Sequence, residues 1–457
     1  MQPSTRIGLL TLTLMSVSAI ISLRNLPMMA IHGWASVFYL GLSGILFLIP
    51  ISLACAELAS AWPKKGGVYA WVAEAYGTNT GLLAIWLEWA ESVVWLPAVL
   101  SFIASIFAYL INPSLANNPL FLYVTMMVVL WSTTFLNFLS IRTTGRMSAM
   151  GVLFGTIIPG IVIIGLGVYW ICDDTLSQIT LTPAAADFVP VLNWSNMVFF
   201  TGVLLGFAGI EVAAYHIQDV ESPKKLFPQA TFLATFLILS ISILGALAIA
   251  AVLPAEQISL ASGVMQAFEA FFVALNLKWM VPILALMIFI GALALLNTWI
   301  IGPSRGLYAS AEFGNLPRLC KVANRYGSPY QILIMQAVIG TILATTFLLM
   351  PSVNASYWIL TVLAAQLILM MYFLIFVAVI RLRYTQPDTP RPYQIPGGKF
   401  GLWLTAGVGA FSCVFSFLIG FIPPAEMSVG NPIVYSLTLL AGIIIFSLPP
   451  YFWRVSS

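Results

Sequence analysis

A few chemically capable residues stand inside otherwise apolar sequence. Glu88 and Glu91, in "IWLEWAESVVWLP", are three apart and share one face if the segment is helical. "GFAGIE", Gly206 to Glu211, puts two helix-weakening glycines and a carboxyl in the middle of an apolar run. "SVSAIISLRNLP" sets Ser16 and Ser18 before Arg24, Asn25 and Pro27. A buried carboxyl can attract an ammonium or carry a proton, and a guanidinium can meet a carboxylate. A broken helix offers N–H groups to an anion and free carbonyls to a cation. Enzyme chemistry has far less to work with. The only histidines are His32 and His216, the four cysteines have no paired spacing, and neither HExxH nor GxSxG occurs. No catalytic residue, metal or cofactor is therefore expected.

The elements that must position these groups lie in lipid. The chain is 61% hydrophobic and 7% charged, against about 25% charged in soluble domains. Twelve apolar stretches can cross the hydrocarbon core as helices: 7–31, 36–62, 82–110, 120–140, 147–171, 197–217, 229–253, 280–304, 329–350, 356–380, 401–422 and 433–453. Continuous rather than alternating apolarity speaks against a β-barrel. All but two of the 18 Lys and Arg, Lys278 and Arg24, fall at the termini or on connections that then share one side. The positive-inside rule makes that side, and both termini, cytoplasmic. The expected location is a plasma membrane, the inner membrane of a bacterium, with lipid as neighbour. The first span is too long for a removable signal peptide. A net charge of +3 reflects the loop bias and gives no reason to expect nucleic acid. Oligomeric state is not written in the sequence.

All 457 residues form one transmembrane domain, since no connection is long enough to fold alone. Two connections, "PKKGGVYAWVAEAYG" and "PAEQISLASGVMQAFEAFF", read as helices lying along the interface. They occupy equivalent places if spans 1–5 (residues 1–171) and spans 6–10 (194–380) are repeats, with 400–457 supplying the last two helices. Five spans per unit invert the second copy, an arrangement that recurs in transporters with interrupted helices. Span 6 has Phe207 at its midpoint, inside "GFAG", and span 1 has its midpoint near Ala19. Breaks at matching positions point to a shared polar site, because lipid satisfies no freed backbone group. N–H groups of Ser16, Val17, Ser18, Ala19 and Ile20, with those of Gly206, Phe207, Ala208, Gly209 and Ile210, are the expected cradle for an α-carboxylate. Close helix packing is the other reading of the paired glycines.

At these residues the chain resembles the amino acid–polyamine–organocation superfamily, especially its glutamate/GABA antiporter branch. The resemblance rests on "PKKGGVYAWVAEAYG", "GFAGIEVAAYHIQDVESPKKLFPQA", "ASGVMQAF", "WIIGPSRGLYASAEFGNLP" and "YQIPGGK". It implies an all-α, LeuT-like 5+5 inverted-repeat bundle with helices 1 and 6 broken, working by alternating access. Substrate would lie between spans 1, 3, 6, 8 and 10. Trp299 and Tyr372 match aromatic positions near the antiporter's substrate path, and Asn297 is a neutral polar neighbour. Leu295 stands where the antiporter has a membrane glutamate, and the family's long cytoplasmic tail has no counterpart after Trp453.

The remaining charges have paired readings. Arg24, about 17 residues into span 1, either forms an outer gate with a carboxylate or snorkels to the interface. Glu91 lies roughly 14 Å into span 3, where one of the two glutamates needs a proton or a partner; it binds an amino group or packs helices. Glu211 either ties down the broken helix or changes protonation during transport. Glu57 reads as structural, answering Lys64, Lys65 or Arg318. The function expected is an amino acid antiporter that binds substrate at Glu91, Asn297, Trp299, Tyr372 and the two breaks. Arg24, Glu88, Glu91 and Glu211 are the candidates for gating or proton coupling. A proton-coupled symporter is the alternative, and an ion channel the reading from a different class.

Overall fold

The computed structural model describes residues 7–62, 66–139, 151, 153–172, 177–180, 182–190, 193–211, 220–311, 316–425 and 429–452. His216, Lys64 and Lys65 lie outside the described residues. In chain order the helices are α1 (Leu9–Ile20), α2 (Leu26–Ala30), α3 (Ala35–Ala61), α4 (Val68–Tyr76) and α5 (Thr78–Ile111). Next come α6 (Pro119–Phe138), α7 (Leu153–Ile171), α8 (Phe199–Gly206), α9 (Pro223–Val252) and α10 (Gly263–Ala274). The chain closes with α11 (Met280–Ser310), α12 (Tyr330–Leu349), α13 (Val353–Thr385), α14 (Gly398–Ile419) and α15 (Pro432–Phe452). Among the described residues, 10 helices are long and apolar enough to cross a membrane. They coincide with ten of the expected spans. The other two, 7–31 and 197–217, are the segments where the helix is interrupted.

Burial sorts the helices into an inner and an outer set. The 18-residue apolar window is 83% buried in α5 and 72% in α13, but only 22% in α15. α5 packs along α13 and α11, so three long helices form one wall facing the interrupted segments. α5 is continuous despite Pro97, a cost that neighbouring protein can offset inside a bundle. The two connections expected on the interface are buried instead. α4 wedges between α5 and α13 with Trp71 1% exposed, its indole N–H donating to the Trp62 carbonyl at 3.3 Å. α10 packs on α9 and α11 through fully buried Val264, Met265, Phe268 and Phe271. Their apolar faces bury against helices, which offer closer packing than fluid lipid.

The end of α13 nearest α4 is fastened by charge. The Glu57 carboxylate, 1% exposed on α3, accepts from Arg383 Nε at 2.8 Å and from Arg383 Nη2, and pairs with Arg391 Nε at 3.3 Å. It also accepts the Ile395 backbone N–H at 2.8 Å. Among the described residues the partners of Glu57 are thus Arg383 and Arg391, and not Arg318. Arg391 donates through Nη2 to the carbonyls of Leu382 and Gln386, where α13 ends, and covers the Trp62 ring at 5.3 Å. Burial, with the Glu57 carboxylate nearby, pushes the Tyr393 hydroxyl up to about 12, so it stays neutral at physiological pH. Removing one partner strands a buried charge, which costs about 3–5 kcal/mol. Glu57→Ala should therefore lower the unfolding temperature of the detergent-purified protein far more than a lipid-facing change such as Leu349→Ala. Equal effects would show that the cluster contributes nothing.

Candidate functional site

The two interruptions arise from different backbone chemistry. α1 ends at Ile20; Ile21 and Ser22 are extended (ψ 121° and 130°), and a 3₁₀ turn over Leu23–Asn25 leads into α2. Pro27 stands in the first turn of α2, where its missing N–H removes no helix bond. Proline thus starts the second half of the span and does not end the first. In span 6, α8 stops at Gly206, Phe207–Gly209 form a turn, and helix resumes at Ile210. Gly209 has φ +115°, a conformation that side-chain-bearing residues rarely adopt. Gly206 answers a different need: a Cβ there would stand 3.3 Å from the Asn25 amide nitrogen. One glycine permits the turn and the other lets the two breaks touch.

These breaks correct the expected cradle. Ser16–Ile20 form the last turns of α1, so their N–H groups are spent within the helix. The N–H of Phe207 goes to Val203 and Leu204, that of Ala208 to Leu205, and that of Gly209 to the Tyr372 hydroxyl at 2.8 Å. Span 6 therefore offers carbonyl oxygen at Gly206 rather than N–H groups. The donors at the break lie after it in span 1, at Ser22–Arg24, where the helix restarts. The carbonyl ends of α1 and α8 meet them from the other side, so opposite backbone dipoles converge on one place.

The wall of α5, α11 and α13 closes this place into a cavity of about 50 Å³. That is well short of the ~150 Å³ that holds a benzene ring, so an amino acid enters only if the walls move apart. Ile20, Ile21, Ser22, Arg24 and Asn25 come from span 1, and Gly206, Ala208, Gly209 and Glu211 from span 6. Glu88, Glu91 and Trp95 come from α5, Leu295 and Trp299 from α11, and Ile368 from α13. A second cavity of about 20 Å³, room for about one water, lies beside the first and is lined in part by Ser22, Phe207 and Ser242.

The charged groups are not equivalent. Arg24 is 4% exposed; Nη1 donates to the Tyr357 hydroxyl at 2.9 Å, and the guanidinium lies 4.8 Å from the Trp95 ring centroid and 5.7 Å from that of Tyr357. It does not snorkel, and among the described residues it pairs with no carboxylate within 4 Å. Its bonded partner is a phenol. Glu211 accepts the Tyr372 hydroxyl proton at 2.7 Å, which fastens span 6 to α13. Glu88 has an interaction of its own. Glu91, 7% exposed, makes no hydrogen bond or ion pair among the described residues.

Several expected contacts fall elsewhere. Asn297 accepts from Asn137 Nδ2 at 2.6 Å, joining α11 to α6 away from the cavity. Tyr372, fully buried, stands behind the break and is absent from the cavity wall. Ser16 donates to the Leu12 carbonyl, while Val17 and Ile210 are buried without lining either cavity. Trp299 does line the cavity, its ring 5.5 Å from that of Trp95. Sequence reasoning missed Ser22, Trp95, Tyr357 and Ile368. Trp95, one turn beyond Glu91, was the most discoverable.

An all-helical bundle with broken helices 1 and 6 facing a wall of long helices is the architecture of a LeuT-fold membrane transporter. The solved structure of MhsT in complex with L-phenylalanine has this fold, matching with a TM-score of 0.58 at 14% identity over 90% of this chain and 98% of that one. A sequence model of the family described as amino acid permease matches residues 7–446, and the chain belongs to that family. An uncharacterized transporter of Legionella pneumophila is 40% identical over 97% of this chain and 96% of its own length. A glutamate/gamma-aminobutyrate antiporter of Lactococcus lactis is 29% identical over 98% and 90%. A cadaverine/lysine antiporter of Escherichia coli is 24% identical over 92% and 88%.

The break in span 6 yields a direct prediction. Tyr372→Phe leaves Glu211 and the Gly209 N–H without the hydroxyl, a loss of about 1–3 kcal/mol. Gly209→Ala forces a side chain into the positive-φ turn at about 1–2 kcal/mol. Both should lower the midpoint of thermal unfolding, and an unchanged midpoint in Tyr372→Phe would show that the tie does not hold in the folded protein.

Proposed function

We propose that the chain is a secondary-active amino acid exchanger working by alternating access. The supporting observation is the meeting of both interrupted helices at one cavity, with a guanidinium and an unpartnered carboxyl on its walls, in a member of the amino acid permease family. The substrate α-carboxylate meets the N–H groups at Ser22–Arg24, and its ammonium meets the carbonyl ends of α1 and α8. Side-chain selection falls to Glu91, Trp95, Leu295, Trp299 and Ile368. Residues 1–171 and 194–380 act as the two inverted halves, 400–457 as the peripheral pair, and both termini face the cytoplasm of a bacterial inner membrane. Antiporter names among the relatives favour exchange over uptake.

Purified protein in liposomes loaded with unlabelled amino acid should take up external labelled amino acid by counterflow. Uptake that is equally fast into unloaded liposomes without an ion gradient would rule out obligatory exchange. A second reading, proton-coupled uptake, draws on the lack of a partner at Glu91. An imposed pH gradient would then drive accumulation in the wild type and fail to do so in Glu91→Gln.

A further inference from the structure

We propose that Glu91 selects a cationic group on the substrate, so that the site prefers basic amino acids and aliphatic diamines to acidic amino acids. This rests on the transporter reading above and names the substrate class of the same cavity. Three carboxyls and one guanidinium line it, and three of these four groups are already engaged. Glu211 accepts a hydrogen bond from the Tyr372 hydroxyl at 2.7 Å. Glu88 has its own interaction. Arg24 is bonded to Tyr357 and its guanidinium is held over two aromatic rings. Glu91 is the group left over.

A carboxyl buried in a membrane protein and facing a cavity without a partner is costly as an anion. A ligand that brings an ammonium to it relieves that cost, whereas a ligand carboxylate there adds repulsion. The surrounding surface suits the same ligand. Leu295 and Ile368 offer apolar contact to an aliphatic stem, while the Trp299 ring can lie over an ammonium.

The test is competition in proteoliposomes. Lysine, putrescine, leucine and glutamate are each loaded inside, and each is offered outside as competitor against labelled lysine and labelled leucine. In the wild type, lysine or putrescine should compete at least tenfold better than glutamate. Glu91→Gln should reduce that preference at least tenfold, and Glu91→Asp, which keeps the charge, should retain most of it. Glutamate competing better than both cations in the wild type would overturn the proposal while leaving the exchanger reading intact. So would an unchanged preference in Glu91→Gln. If that variant does not fold, the wild-type ranking decides alone. Failure to exchange any of the four would count against the transporter reading itself.

Discussion

Hydrocarbon offers no hydrogen bonds, so every N–H and C=O in a membrane span needs a partner within the protein. An unbroken helix meets this demand by itself; an interrupted one transfers it to whatever lies alongside. In this chain the demand is met by bringing two interruptions together and facing both with helices rich in polar and aromatic side chains. The turn after α8 uses all three of its N–H groups, two internally and one on Tyr372. The opening after α1 places Ser22 and Arg24 against the cavity. Neither break would be tolerable facing lipid, and each supplies surroundings for the other.

The same constraint explains why α5 and α13 are the most buried spans. They carry the side chains that complete the interrupted segments. Tyr357, near one end of α13, meets Arg24 of span 1, while Tyr372, four turns on, meets Gly209 and Glu211 of span 6. A single helix thus touches both interruptions through two phenols, at opposite sides of Ile368 on the cavity wall. Any rotation of spans 1 and 6 against α13 must exchange these hydrogen bonds. That links the packing that stabilises the breaks to the motion that the proposed alternating access would need. Beyond them, the Glu57 cluster fastens the end of α13 to α3.

What could be read from the sequence was what violated the apolar rule. Gly206, Gly209 and Glu211 stood out in span 6, as did Arg24 and the two glutamates of α5, and all six line the cavity. What could not be read was helix rotation and the exact site of a break. Asn297 is as polar as Asn25, but its face of α11 turns toward Asn137 and not toward the cavity. The break in span 1 was expected within Ser16–Ile20, but α1 runs through Ile20 and Pro27 stands in the first turn of the next helix, where a proline marks a start. Trp95 and Tyr357 were hidden among 14 Trp and 16 Tyr, since their value comes from a guanidinium that only the folded chain brings between them.

The fate of Arg24 carries a wider consequence for the chemistry of the cavity. A buried guanidinium beside three carboxyls would ordinarily neutralise one of them, yet here it is turned onto two aromatic rings and a phenol. Ring faces attract a cation without contributing a formal charge, so Arg24 is stabilised and the carboxyl excess stays. The aromatic groups thereby hold the guanidinium without consuming a carboxyl, and Glu91 on the same wall keeps no bonded partner among the described residues.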